Sequence, residues 1–180
     1  MHWGLTQSLD RRRQAGLPPG WRRAKARGLA LLLGSALLLA CGPVGPFAGG
    51  RLSGAVGPSQ VQDWSFAAEI ETAQLETRPD KPHSVNTWFE GIGPSLYVPT
   101  SMIRGPKTPT KRSWVSHVSI DPRVRIRLGA QVFERVAVRV TDEPEYERAR
   151  VALEAKYDLD VADRDPERTI WIYRLEAQTP

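Results

Sequence analysis

The chain has 180 residues, 41% of them hydrophobic, which allows one ordinary domain with a packed core and excludes a wholly disordered polymer. Its net charge of +5 does not mark a nucleic-acid binder: seven of the 25 basic residues but only one of the 20 acidic ones lie in 1–40, and the remainder, 18 against 19, is balanced. A single cysteine excludes an internal disulfide, and histidines at 2, 83 and 117 lack metal-ligand spacing, so no metal is expected.

Residues 28–41 read GLALLLGSALLLAC after a basic stretch. An apolar run of about a dozen residues is shorter than the roughly 20 needed to span a bilayer, and it suits the hydrophobic segment of an export signal. The run ends in Leu38-Leu39-Ala40-Cys41, which resembles the lipobox of bacterial lipoprotein signals. That resemblance implies cleavage after Ala40, a signal peptide over 1–40 and lipidation of Cys41. The protein would then be anchored in the cell envelope by more than one acyl chain, as stable attachment requires. Gly42, which is not Asp, points to the outer membrane where there are two membranes. Residues 41–60, rich in Gly, Pro and Ser and without periodicity, are expected to form a flexible tether, with a folded domain over 61–180.

Within that domain, 66–78 is compatible with one or two short strands. Residues 83–90 alternate as a strand, Gly91–Pro94 turns, and 95–100 follows, so 83–90 and 95–100 form a hairpin candidate. A basic loop (101–112) leads into a short helix over 113–120, stopped by Asp121-Pro122. Val124, Ile126 and Leu128 then alternate with Arg123, Arg125 and Arg127. Val132, Val136, Val138 and Val140 share one face of the next segment, with Phe133, Arg135, Ala137 and Arg139 on the other. Two period-two segments around Gly129 predict an antiparallel hairpin. The Arg123/Arg125/Arg127 face is expected to be a solvent-side stripe or to pair with acids. Asp142, Pro144 and Glu145 have capping-box spacing, and Tyr146, Ala149, Leu153 and Tyr157 recur at helical spacing, which predicts a helix over 143–157. An acidic loop (158–168) and an apolar strand (169–175) close the domain. The fold class is mainly β with helices (α+β), a small closed or partly closed barrel.

The strands around Leu75-Glu76-Thr77-Arg78 and His83-Ser84-Val85-Asn86, then Leu96-Tyr97-Val98, then Trp114 on a short helix followed by Asp121-Pro122-Arg123-Val124, resemble the flavin-binding split β-barrel superfamily. This superfamily holds the pyridoxamine-phosphate-oxidase-like proteins and the deazaflavin-dependent nitroreductases, and the resemblance covers about 65–176. It implies a split barrel of about six antiparallel strands with two helices, a homodimer, and FMN or the deazaflavin F420 in a groove near the dimer interface. Thr77, Arg78, Ser84 and Asn86 would line that groove. Thr100, Ser101, Lys111 and Arg112 would close over the phosphate or ribityl chain, while Trp64, Trp88, Trp114 and Trp171 are core or interface residues first and flavin-ring neighbours second. The segment Arg104–Pro109, with one glycine and two prolines, departs from the glycine-rich stretch of the deazaflavin group and favours FMN.

The chemistry of the residues agrees with an anionic cofactor, since Arg offers a bidentate fork and Ser/Thr hydroxyls further donors. A flavin-dependent oxidoreductase needs no catalytic side chain, because the cofactor carries the reaction. No nucleophile elbow, Walker loop or dinucleotide fingerprint is present. Two other readings stand beside this one. The first is a cofactor-free envelope lipoprotein serving as a binding or scaffold module. The second is a haem-binding barrel, for which His83 and His117 are the axial candidates.

Overall fold

The computed structural model describes residues 42–178. The leader and Cys41, with the expected cleavage and lipidation site, lie outside the described residues.

Eight strands form one mainly antiparallel sheet: β1 (Ala55–Val56), β2 (Ala73–Thr77), β3 (His83–Thr87), β4 (Glu90–Ile92), β5 (Ser95–Pro99), β6 (Arg123–Leu128), β7 (Gln131–Arg139) and β8 (Ile172–Ala177). Among the described residues two α-helices accompany them, α1 (Ser113–Ile120) and α2 (Glu143–Lys156). The order across the sheet is β3-β2-β6-β7-β8-β5-β4, with β1 added in parallel to the start of β7. The path does not close, so the barrel is open. Two of the strands have only two or three residues, which explains why the sequence shows about six.

Alternation sorts the side chains between two cores. On β5, Leu96 and Val98 enter the interior of the curved sheet with Phe89, Ile126 and Phe133, while Tyr97 points to the other face. On β8, Tyr173 and Leu175 go inward and Ile172 outward. Helix α1 closes the inner core with Trp114, Val115 and Val118. Helix α2 covers the outer face with Ala149 and Leu153. Its start is fixed by Asp142, whose carboxylate accepts the Glu145 amide at 3.0 Å, with Pro144 in the first turn.

The β6–β7 hairpin and both helices lie where the periodicity puts them. One pairing is corrected. The 83–90/95–100 hairpin does not form: β3 pairs with β2, and only the short β4 pairs with β5. Residues 66–78 contribute one strand, β2, preceded by a 3-10 turn at Ser65–Ala67. The inward face of β7 carries Phe133, Arg135 and Ala137, while Val136 and Val138 are only half-buried on the other side. In the arginine stripe of β6 the acid-pairing alternative holds for Arg125, which pairs at 3.0 Å with the buried Glu76, and for Arg123, which pairs with Asp121.

The largest correction concerns 42–60. This segment is no free tether but a strap laid along the sheet. Leu52 is buried, and its amide donates to Glu76 Oε2 at 2.5 Å. Gly49 exchanges backbone hydrogen bonds with Ser84 at 2.8 and 2.9 Å, and β1 pairs with β7. The glycines permit close approach rather than looseness: a Cβ on Gly57 would sit 2.3 Å from the Phe133 ring.

Candidate functional site

A cleft of about 530 Å³ opens where the ends of β3 and β5 meet the loop that follows β5. This volume falls in the range of roughly 300–1,000 Å³ usual for small-molecule sites. β3 contributes Asn86 and Thr87, with Trp88 next in the chain. The end of β5 contributes Pro99, and the loop beyond it contributes Thr100 to Arg104, apart from the return of the chain at Arg112.

Each polar group is held by the fold. Thr100 sits at the end of the β5–β8 ladder, where its amide donates to Trp171 O at 2.9 Å and its hydroxyl accepts the Trp171 amide at 3.0 Å. Arg112 Nε donates to Ser101 Oγ at 2.8 Å, and its Nη2 donates to Arg104 O at 3.2 Å. Gly105, at φ +89°, makes room for this guanidinium, since a Cβ there would lie 2.5 Å from Arg112 Nη2. The loop is pinned from the far side. Arg168 donates to Gly105 O and Pro106 O, and Lys107 pairs with Asp165 and Glu167. Asn86 Nδ2 donates to Gly45 O at 2.9 Å, so the strap borders the cleft.

Trp88, Met102 and Ile103 supply an apolar wall. Trp88 is fixed by stacking on Tyr157, with centroids 4.2 Å apart and planes 8° from parallel. The Tyr157 hydroxyl in turn has Glu71 O and Phe89 O within reach of its single hydrogen, at 2.9 and 3.0 Å, and accepts the Phe89 amide. Burial pushes its pKa up to about 12, so it stays a neutral donor.

The charge of the cleft is one-sided. Arg104 and Arg112 line it, and among the described residues no carboxylate, histidine or cysteine does. Burial first, and then the neighbouring Arg168, push the Arg112 pKa down. Among the described residues, no carboxylate lies within ion-pair distance of Arg112. A half-buried guanidinium without a counter-charge, beside two seryl-type hydroxyls, is suited to an anion. Among the described residues, the lining places no base beside its Ser and Thr hydroxyls.

Of the residues expected at the groove, the cleft brings together Asn86, Thr100, Ser101 and Arg112. Lys111 and Trp114 line a recess of about 270 Å³ that shares Arg112 with the cleft, and the Trp114 ring itself is packed edge-on against Tyr173 in the core. Ser84 is fully buried under the strap. Thr77 is buried, and its hydroxyl is hydrogen-bonded to His117 Nδ1 at 2.9 Å and donates to His83 O. Arg78, at φ +56°, stands in the β2–β3 loop beside His83 and His117 and lines neither space. Sequence reasoning missed Thr72, Thr87, Met102, Ile103 and Arg104, and it gave Trp88 a core or interface role. Their proximity to Asn86 and Ser101 in the chain was the available signal.

No family model and no curated protein matches the chain. It is similar to a solved structure described as a putative pyridoxamine 5'-phosphate oxidase from Listeria innocua, at 20% identity over 64% of this chain and 90% of that one, with a TM-score of 0.45. It is also similar to an F420-H2-dependent reductase, at 18% identity, 59% and 95% coverage and a TM-score of 0.49. A third is a putative 5-nitroimidazole antibiotic resistance protein from Bacteroides thetaiotaomicron, at 12% identity, 67% and 82% coverage and a TM-score of 0.46. At these identities and scores the likeness carries no conclusion about ligand or reaction.

Proposed function

We propose that the cleft binds a phosphorylated flavin-type cofactor, FMN in first place and F420 as the alternative, and that the protein is a flavin-dependent oxidoreductase. The observation that carries this reading is the part-buried Arg112, without a carboxylate partner, in a cleft that also has an apolar wall. The residues present fit the group. Arg112 and Arg104 would meet the phosphate, with Ser101 and Thr100 beside them, and Trp88, Met102 and Ile103 would flank the ring system. When bound, the flavin supplies hydride or electron transfer. The chain's own residues bind, orient and exclude water. Arg78 and Ser84, which the family resemblance puts at the groove, lie away from the cleft, so the anion contacts narrow to the loop after β5.

The test is a titration of the apo-protein with FMN and with F420, followed by cofactor absorbance and fluorescence. Saturable quenching at micromolar cofactor supports the reading. No change with either leaves the cofactor-free binding module. Anchoring through Cys41 and a homodimer belong to the same proposal. Intact-mass analysis of the protein made in a bacterial host tests the first, and sedimentation equilibrium tests the second.

A further inference from the structure

We propose a second ligand site, for a small organic carboxylate, in the cavity of about 360 Å³ between residues 59–62 and β8, with Arg135 as its anion-binding residue. This site lies outside the cleft and shares no residue with it.

Arg135 occupies a position that the sheet reserves for apolar side chains. It follows Phe133 and precedes Ala137 on the inward face of β7, and it is only 2% exposed. Its guanidinium carbon lies 5.2 Å from the Trp64 ring centroid and 5.3 Å from that of Phe133. A guanidinium has five N–H donors and does not deprotonate in proteins. Here Nη1 donates to Glu134 O at 2.7 Å and Nη2 donates at 3.4 Å to Pro58 O, both neutral acceptors and the second a long one. Among the described residues no carboxylate lies within 4.0 Å of Arg135. One acid, Glu176, lines the cavity, but it is held at 2.6 Å by Arg174, which lines it too and is further paired with Glu145. Burial pushes the Arg135 pKa down.

A buried charge is costly unless paired and hydrogen-bonded. Water would satisfy the free N–H groups but not the charge. A carboxylate does both, because its two oxygens match the guanidinium fork. The rest of the cavity describes the ligand's body. Trp64, fixed by a hydrogen bond from its indole N–H to Pro94 O at 3.0 Å, lines the cavity with Val61, Pro94 and Leu175, and Gln60 and Gln62 offer amides. The ligand is therefore a monocarboxylate with a small flat or apolar body.

The test uses the full chain and sodium benzoate at constant ionic strength, against sodium chloride. Saturable quenching of tryptophan emission together with a rise in Tm is expected. Both are expected to vanish in Arg135→Met, which keeps the stem and removes the charge, and to persist in Arg112→Met. No saturable response in the native chain, or a response retained in Arg135→Met, overturns the proposal. So does a response lost in Arg112→Met, because the benzoate then sits in the cleft. If Arg135→Met does not fold, the Nε–H resonance of Arg135 in the native chain replaces it. A saturable shift with benzoate supports the site, and an unmoved resonance overturns it. FMN titration in the presence of benzoate keeps this outcome separate from the fate of the flavin reading.

Discussion

Arg112 and Arg135 are both desolvated guanidiniums without a carboxylate, yet they sit in unlike places. Arg112 hangs on a hydroxyl and a loop carbonyl, with Arg104 and Arg168 nearby, so positive charge is gathered along an open cleft. Arg135 stands alone among aromatic rings inside the curve of the sheet. The first arrangement suits an extended, strongly charged ligand and the second a compact ligand of single charge. Both depend on the strap, which reaches Asn86 at its start through Gly45 O and Arg135 at its end through Pro58 O.

The largest expected effect tests that shared dependence. Leu52→Ala removes the strap's buried anchor and should cost roughly 2–5 kcal/mol in urea unfolding. A segment loose in solution would make the change neutral. The next prediction separates the two arginines. Arg112→Met should weaken FMN binding by about 10–100-fold, the equivalent of about 1.5–3 kcal/mol for a lost charged hydrogen bond, in fluorescence titration. Arg135→Met should leave FMN affinity unchanged, and it should hold or raise stability in urea unfolding, because a buried charge is replaced by a thioether of similar shape. Equal losses of FMN affinity in both variants would erase the distinction. A smaller effect belongs to Gly105→Ala. The positive φ and the 2.5 Å approach to Arg112 Nη2 oblige the loop to shift, so FMN binding should fall several-fold while the Arg135 site is untouched.

How much of this was legible follows from where regular periodicity was present. The β6–β7 hairpin and α2 were written locally, in alternating Val124, Ile126 and Leu128 and in the Asp142–Glu145 cap. The strap was illegible because glycine has the same composition whether it is loose or pressed against a ring, and only the sheet shows that Gly57 meets Phe133. The β3 pairing was misassigned because nearness in sequence favoured β5, whereas Leu75 and Val85 face each other across β2 and β3. At the site, family resemblance reached Ser101 and Arg112 but overshot to Ser84 and Arg78. It put basic and hydroxyl residues on one groove, while the strap covers Ser84 and the turn at Arg78 leads away. Arg135 was read as one position on the less hydrophobic face of β7, and nothing local distinguishes a buried arginine from an exposed one.

The smallest prediction uses pH to tell the two regions apart. His83 and His117 stack edge-on 5.0 Å apart, and His83 lines the recess that shares Arg112. Burial first, and then the charge of Arg78, hold both imidazoles below their usual 6.5. Proximity to His83 adds to this for His117. The folded chain therefore keeps them neutral where the unfolded chain already binds protons. Stability is complete above about pH 6.5 and declines as pH falls from there toward the lower folded values. Urea midpoints measured from pH 7.5 downward should show this loss, and His83→Gln combined with His117→Gln should flatten it. Arg78→Gln should make it shallower by removing the charge that opposes protonation. Arg135→Met should shift the curve without changing its slope, since no imidazole lines that cavity. A slope that follows Arg135 instead would mean that the acid-sensitive side of the molecule is the aromatic cavity and not the neighbourhood of Arg112.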